Sequence, residues 1–182
     1  LLIVGLYAFT LSLTNIAAMR SYAPAPSELA TDGPLISVLI PARNEETSLA
    51  ATLEALLVQD YRNFEVVVCD DNSTDGTWEV ISRYAQLDNR IRGIQGQPLP
   101  DGWRGKVYAM EQLWKAAKGD VFLITDADIH HAPHSLSYGW SAMYKNGVDM
   151  ISGYARETMR SMWTQVLISA SLFITVFYVS LP

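Results

Sequence analysis

The sequence predicts an α/β domain, a mostly parallel sheet flanked by helices, with an apolar segment at each end of the chain. Three observations predict it. Short β-rich apolar runs alternate with amphipathic stretches of about 10–15 residues, which is the rhythm of βαβ units. Three of those runs end in polar clusters: P-A-R-N-E at residues 41–45, Asp70-Asp71, and D-A-D at residues 126–128. Every charged residue lies between Arg20 and Arg160, which leaves residues 1–19 and 161–182 uncharged. Each of these flanks is close to the roughly 20 residues that cross a bilayer as a helix.

Charge and cysteine usage narrow the function classes. A net charge of −6 with no run of Lys or Arg argues against a nucleic-acid partner. The single cysteine, Cys69, has no internal disulfide partner and asks for no oxidising compartment. The expected organisation is a transmembrane helix at 1–19, a linker at 20–34, a soluble domain at 35–160 and the start of a second transmembrane segment at 161–182. A secretory signal is the other reading of the first flank, because Ala23-Pro24-Ala25 resembles a cleavage site. A start at Leu1 and an end at Pro182 inside an apolar run lead us to expect a piece of a longer protein.

Taken in order, residues 35–40 (L-I-S-V-L-I) read as a first buried strand that stops at Pro41. A helix from Glu46 to about Val58 follows, with Leu49, Leu53, Leu56 and Leu57 on one face. Residues 64–69 (F-E-V-V-V-C) form the second strand and run into Asp70-Asp71. Asp75 is placed to start a helix in which Trp78, Ile81 and Ala85 share a face. Residues 91–94 make a short third strand. The glycine- and proline-rich loop at 95–105 is long enough to be functional.

A third helix spans 106–118, with Val107, Met110, Leu113, Trp114 and Ala117 apolar at helical spacing. Residues 121–125 form the fourth strand, whose unbroken apolar run suits burial on both faces. Pro133 fits the first turn of a further helix that Asn146-Gly147 ends, and 148–152 is expected as a fifth strand.

A parallel sheet brings the carboxyl ends of its strands to one edge, so the three polar clusters converge where open α/β sheets bind ligands. No G-x-G-x-x-G and no G-x-x-x-x-G-K-[ST] follows a strand, which removes the dinucleotide and P-loop phosphate cradles. Asp126 and Asp128 are hard oxygen donors, suited to a Mg²⁺ or Mn²⁺ that also touches phosphate. An acidic turn after a strand is the plainer alternative.

V-L-I-P-A-R-N-E (38–45), V-V-V-C-D-D-N-S-T-D-G-T (66–77) and L-I-T-D-A-D (123–128), in this order, resemble the donor half of a family 2 glycosyltransferase. The resemblance implies a GT-A (Rossmann-like) fold, a nucleotide-sugar donor (in the first place a UDP-sugar) and a Mg²⁺ or Mn²⁺ cofactor. It implies that Pro41, Ala42, Arg43 and Glu45 line the nucleotide pocket and that Asp71 accepts a hydrogen bond from the base. Asp70 belongs with them or holds the loop. Asp126 approaches the ribose or diphosphate, and Asp128 binds the metal, so these two are the expected catalytic residues. Arg43 replaces an aromatic residue of many relatives and stacks on the base or meets phosphate.

Lys106 either adds a charge beside the phosphates or is a solvated helix-terminal lysine. The G-W-R-G-K segment at 102–106, with membrane segments on both sides, looks closest to the hopanoid- and carotenoid-associated branch, whose acceptors are lipids. In this family the base that deprotonates the acceptor lies well beyond the D-x-D motif. It is therefore expected past Pro182, and a fragment without it is expected to be inactive alone.

His130 and His131 are expected as exposed loop residues, with a place beside the acceptor as the other reading, and His134 in the first turn of a helix. Trp103 is the aromatic residue to test for sugar stacking. The expected activity is inverting transfer of a sugar to a lipid or membrane-associated acceptor, at the inner face of the cell membrane with the domain in the cytoplasm. A nonenzymatic nucleotide-sugar-binding membrane module is one alternative. A receiver-like signalling domain is another, but here the acidic pair follows the second strand, and no Lys-Pro occurs later in the chain.

Overall fold

The computed structural model describes residues 29–153, together with Leu6, Tyr7 and Thr10. The remainder of both expected membrane segments, and the expected linker before residue 29, lie outside the described residues. Among the described residues no helix is long and apolar enough to cross a membrane. The chain divides into two units, residues 29–140 and residues 1–28 with 141–182.

Four strands build the first unit: β1 (Ile36–Ala42), β2 (Phe64–Asp70), β3 (Ile91–Gln95) and β4 (Val121–Ile124). All pairs are parallel and the order is β3-β2-β1-β4. Helices α1 (Leu49–Leu57), α2 (Thr77–Leu87) and α3 (Gly105–Ala116) connect them, and α4 (Ser135–Asn146) follows β4.

Strand periodicity divides the core in two. Val38, Ile40, Val66 and Val68 pack with Leu49, Leu53, Leu56, Ile81 and Tyr84 of α1 and α2. Leu39, Val67 and Cys69 face the other way, against Ala109 and Leu113 of α3. Both faces of β1 and β2 are thus covered, which explains their uninterrupted apolar runs. Cutting a fully buried leucine such as Leu53 back to alanine costs roughly 2–5 kcal/mol at such a site.

Several expectations are corrected by this arrangement. Strand β1 runs through Pro41 to Ala42 instead of stopping before the proline. The carbonyls of Leu35 and Leu39 accept bonds from the amides of Val121 and Thr125, so odd-numbered residues of β1 turn their main chain toward β4. At Pro41, the next in that series, β4 has already ended, and the missing N–H costs no ladder bond. Strand β4 is an edge strand, not one buried on both faces: Phe122 is 43% and Ile124 64% exposed. By register they share a face with Ser37 and Leu39, but α3 packs over β1 and β2. In α3 only Ala109 and Leu113 are buried, while Val107 and Trp114 of the expected apolar stripe are exposed.

In the second unit, the described residues close α4. The amide of Gly147 (φ 61) bonds the Tyr144 carbonyl at 3.3 Å and that of Val148 bonds the Met143 carbonyl at 3.2 Å. This is a Schellman ending that needs a left-handed residue, which glycine supplies without strain. Residues 148–152, expected as a fifth strand, form none. The cap has already taken the Val148 amide, and only Val148 and Ile151 of that run are β-branched.

Candidate functional site

The strand order reverses at β1, with β2 and β3 to one side and β4 to the other, so the crevice favoured by ligands lies between the carboxyl ends of β1 and β4. A cavity of about 440 Å³ opens there. Pro41, Ala42, Arg43, Glu45, Asp71, Gly105, Lys106, Asp126, Ala127 and Asp128 line it. Of the nine residues assigned from the sequence to nucleotide, phosphate or metal, eight line it and Asp70 is set behind. A second cavity, of about 470 Å³, lies along β3, but its Arg90 and Arg92 are already paired with Asp88 and Glu65.

The loops after β1 and β2 fold as one clasp. Asn44 and Asn72 both have φ of 56°, a left-handed conformation that asparagine tolerates better than most residues. The Asn44 amide donates to Ser73 Oγ at 3.0 Å, and Asn44 Oδ1 accepts from the Thr74 amide at 2.8 Å. The exchange is repeated one step on: the Glu46 amide donates to Asp75 Oδ2 at 3.2 Å, and the Gly76 amide donates to Glu46 Oε2 at 2.7 Å. The Glu45 amide donates to Thr77 Oγ1 at 2.8 Å, and the Ser48 hydroxyl donates to the Glu45 carboxylate.

This clasp sets the position of Asp71. Its amide donates to the Ala42 carbonyl at 2.8 Å, and its Oδ2 lies 4.0 Å from the Arg43 guanidinium. Gly105, the first residue of α3, is so close that a Cβ there would stand 3.1 Å from Asp71 Oδ2. Asp70 turns away to hold the loop. Its Oδ1 accepts from the Ser73 amide at 3.1 Å, and its carbonyl accepts from the amides of Asn72 at 2.9 Å and Gly96 at 2.8 Å.

The D-A-D turn alternates. Thr125 and Ala127 are buried, whereas Asp126 and Asp128 are exposed toward the cavity. Thr52 Oγ1 donates to the Ala127 carbonyl at 2.8 Å, and Thr125 Oγ1 meets His131 Nε2 at 3.0 Å. Lys106 Nζ reaches Asp126 Oδ1 at 2.6 Å in a solvent-exposed pair. Among the described residues no three His, Cys, Asp or Glu side chains converge as a metal cage.

Other residues take definite places. His131 is buried, not an exposed loop residue; burial, and then the charge of His130, lower its pKa and favour the neutral ring. His134 precedes α4 and pairs with Asp60 at 2.7 Å. Trp103 stands edge-on to Tyr108, 5.3 Å between ring centres, and is 41% exposed. Burial, and then the charges of Asp71 and Asp70, push the Cys69 thiol up to about 12, so it is no nucleophile. Sequence reasoning missed Thr52 and Ala127. A threonine among the buried leucines of α1 was the available signal, since a β-branched hydroxyl has no reason to sit there without a partner.

Comparison with known proteins now adds to this geometry. The family model described as "Glycosyl transferase family 2" matches residues 37–169. The chain is 36% identical, over 94 residues, to the UDP-Glc:alpha-D-GlcNAc-diphosphoundecaprenol beta-1,3-glucosyltransferase WfaP of Escherichia coli. That match covers 52% of this chain and 35% of the relative. Among solved structures, the mannosyltransferase PcManGT from Pyrobaculum calidifontis, in complex with GDP-Man and Mn²⁺, superposes with a TM-score of 0.56 at 26% identity. The match covers 78% of this chain and 42% of that one. S. aureus TarS 1-349 in complex with UDP gives a TM-score of 0.54 at 28% identity, covering 70% and 38%. The chain thus spans less than half the length of each of these proteins.

Proposed function

The chain belongs to glycosyl transferase family 2, and we propose that it binds the donor in an inverting glycosyltransferase that moves a sugar from a nucleoside diphosphate, in the first place UDP, to a lipid or membrane-associated acceptor. The observation that carries this proposal is the convergence of all three strand-end motifs on one cavity, with a cation beside a carboxylate on each arm, Arg43 at Asp71 and Lys106 at Asp126. Asp71, held by the clasp, accepts a hydrogen bond from the base. Arg43, beside it, lies against the base plane or the first phosphate. Lys106 at the start of α3 meets the diphosphate. UDP in TarS, and the UDP-Glc and diphosphoundecaprenol in the name of WfaP, support this donor and acceptor class.

The donor set fits a hard divalent cation. Asp126 and Asp128 offer two carboxylates and no softer ligand, and Mg²⁺ or Mn²⁺ commonly rests on one or two carboxylates plus phosphate and water. Asp128 would hold the ion, with Asp126 on the nucleotide side, and Mn²⁺ in PcManGT supports the assignment. A bound ion supplies positive charge where the departing diphosphate gains negative charge. The lining carboxylates are occupied with nucleotide and cation, so the base that deprotonates the acceptor is assigned to none of them. The G-W-R-G-K segment and the apolar flanks support a lipid acceptor, nearest to those of the hopanoid- and carotenoid-associated branch, with the domain on the cytoplasmic side of the cell membrane. A reporter fused after residue 30 is expected to report the cytoplasm; a periplasmic signal overturns that placement.

Calorimetric titration with UDP, with and without Mn²⁺, tests the site. Mn²⁺ is expected to tighten UDP binding, and Asp128→Ala to abolish that gain while leaving thermal stability within about 0.5 kcal/mol. Equal binding with and without metal would remove the D-A-D segment from the donor site.

A further inference from the structure

We infer that Thr52, a residue of α1 that lies outside the cavity lining and outside the motifs read from the sequence, is the positioning residue of the D-A-D turn and sets the affinity for the cation–diphosphate pair. The inference rests on the proposed donor site. Thr52 is 2% exposed, and its Oγ1 donates to the Ala127 carbonyl at 2.8 Å, 75 positions away in sequence. That carbonyl and the Asp128 amide belong to one peptide plane, so the bond fixes the plane from which the Asp128 side chain leaves. Ala127 itself is 3% exposed and packed in the main core, which leaves the turn no freedom to roll.

On the far side of Asp126, the Thr125 hydroxyl meets buried His131. The two exposed carboxylates therefore alternate with two buried anchors. Of the anchors, Thr52 is the one that comes from another element of the fold. It also lies one turn beyond Ser48, whose hydroxyl is bonded to Glu45 of the cavity lining. Two hydroxyls four positions apart, Ser48 just before α1 and Thr52 within it, thus each brace one residue of the cavity lining, Glu45 and Ala127.

Hydroxyl removal at constant shape isolates this role. Thr52→Val fills the same volume but leaves a buried carbonyl unpaired, while Thr52→Ser keeps the donor. The test combines amide hydrogen exchange of the free protein with calorimetry of UDP in the presence and absence of Mn²⁺. In Thr52→Val, exchange at residues 126–129 is expected to quicken while β1 and β2 stay protected. Its Mn²⁺-dependent UDP affinity is expected to fall roughly ten- to hundredfold, the range for lost outer-shell support of a metal site. UDP affinity without metal should hold within twofold, and Thr52→Ser should match the parent protein in both measurements.

If Thr52→Val keeps parental exchange and parental affinity, the inference is wrong. It is equally wrong if UDP binding falls alike with and without Mn²⁺, since that marks a packing role only. If the parent protein shows no gain from Mn²⁺, the proposed donor site fails, and the exchange at residues 126–129 then decides the positioning role alone.

Discussion

Asp71 enters the cavity from a loop held on every side, whereas Asp128 enters it from a turn held only from behind. Asp70 and Asp71 are 7% and 9% exposed, and their surroundings include four amide bonds, a guanidinium and the first turn of α3. Asp126 meets Lys106 in water, and Asp128 has no hydrogen-bond or ion-pair partner among the described residues. Carboxylates taken out of water need partners within the fold, and those left in water do not. The first arm is therefore finished before a ligand arrives and suits a fixed neutral group such as the edge of a base. The second keeps its charge uncommitted, which suits a cation that comes with the diphosphate.

The sharpest way to break this contrast is at Gly96. A Cβ there would stand 2.8 Å from the Asp70 carbonyl oxygen and 3.3 Å from Asp71 Cα, and neither backbone atom can swing aside. Gly96→Ala is expected to lower stability by about 1–3 kcal/mol in denaturant unfolding, and to weaken UDP binding with or without metal. Asp126→Ala, on the open arm, should stay within about 0.5 kcal/mol of the parent protein in the same measurement. Equal losses from both variants would erase the distinction between the arms.

A smaller effect is expected from acid, again on the held arm. Asp75 lies below its ordinary carboxylate value: the hydrogen bond from Thr77 is the main cause, slight desolvation opposes it, and the Glu46 amide adds to it. A depressed folded value means that the clasp's contribution is complete above the unfolded value of 3.8 and is lost as pH falls through the lower folded one. Amide NMR shifts of Glu46 and Thr77 should titrate together with a midpoint below 3.8, and Asp75→Asn should remove that transition. A midpoint at or above that value would show that Asp75 gains nothing from the clasp.

How far the sequence reveals this molecule differs between the same two arms. Strands β1 and β2 are legible because V-L-I and V-V-V runs are covered on both faces, and their strand-end clusters fall on one edge by topology alone. Strand β4 is legible as a strand but not as an edge. The run V-F-L-I reads the same whether or not a helix covers Phe122 and Ile124, and only packing decides that. The D-A-D carboxylates are visible in the sequence, but their anchors are not. Thr52 and His131 act through bonds to a carbonyl and a hydroxyl, contacts that leave no periodicity or spacing to read. Likewise, Asp70 and Asp71 look equivalent in sequence. Strand alternation sends one into the cavity and the other back into the loop.

Little change in stability is expected at Lys106 either, and its replacement separates two uses of a surface lysine. Its 2.6 Å pair with Asp126 is exposed on both sides, at 65% and 55%, so Lys106→Gln should cost no more than about 1 kcal/mol of folding stability. Binding tells more. If Lys106 meets the diphosphate, UDP affinity in Lys106→Gln should fall about tenfold while uridine affinity holds, and the loss should shrink as salt is raised. If the lysine serves only to neutralise Asp126, removing it leaves a bare carboxylate beside Asp128. UDP with Mn²⁺ should then bind as tightly as before, or more tightly, because the cation inherits the vacated partner. Titrations of UDP, uridine and UDP with Mn²⁺ at two ionic strengths distinguish these outcomes. A fall confined to the phosphate-bearing ligand places Lys106 on the donor, and a gain confined to the Mn²⁺ arm makes it a stand-in for the metal.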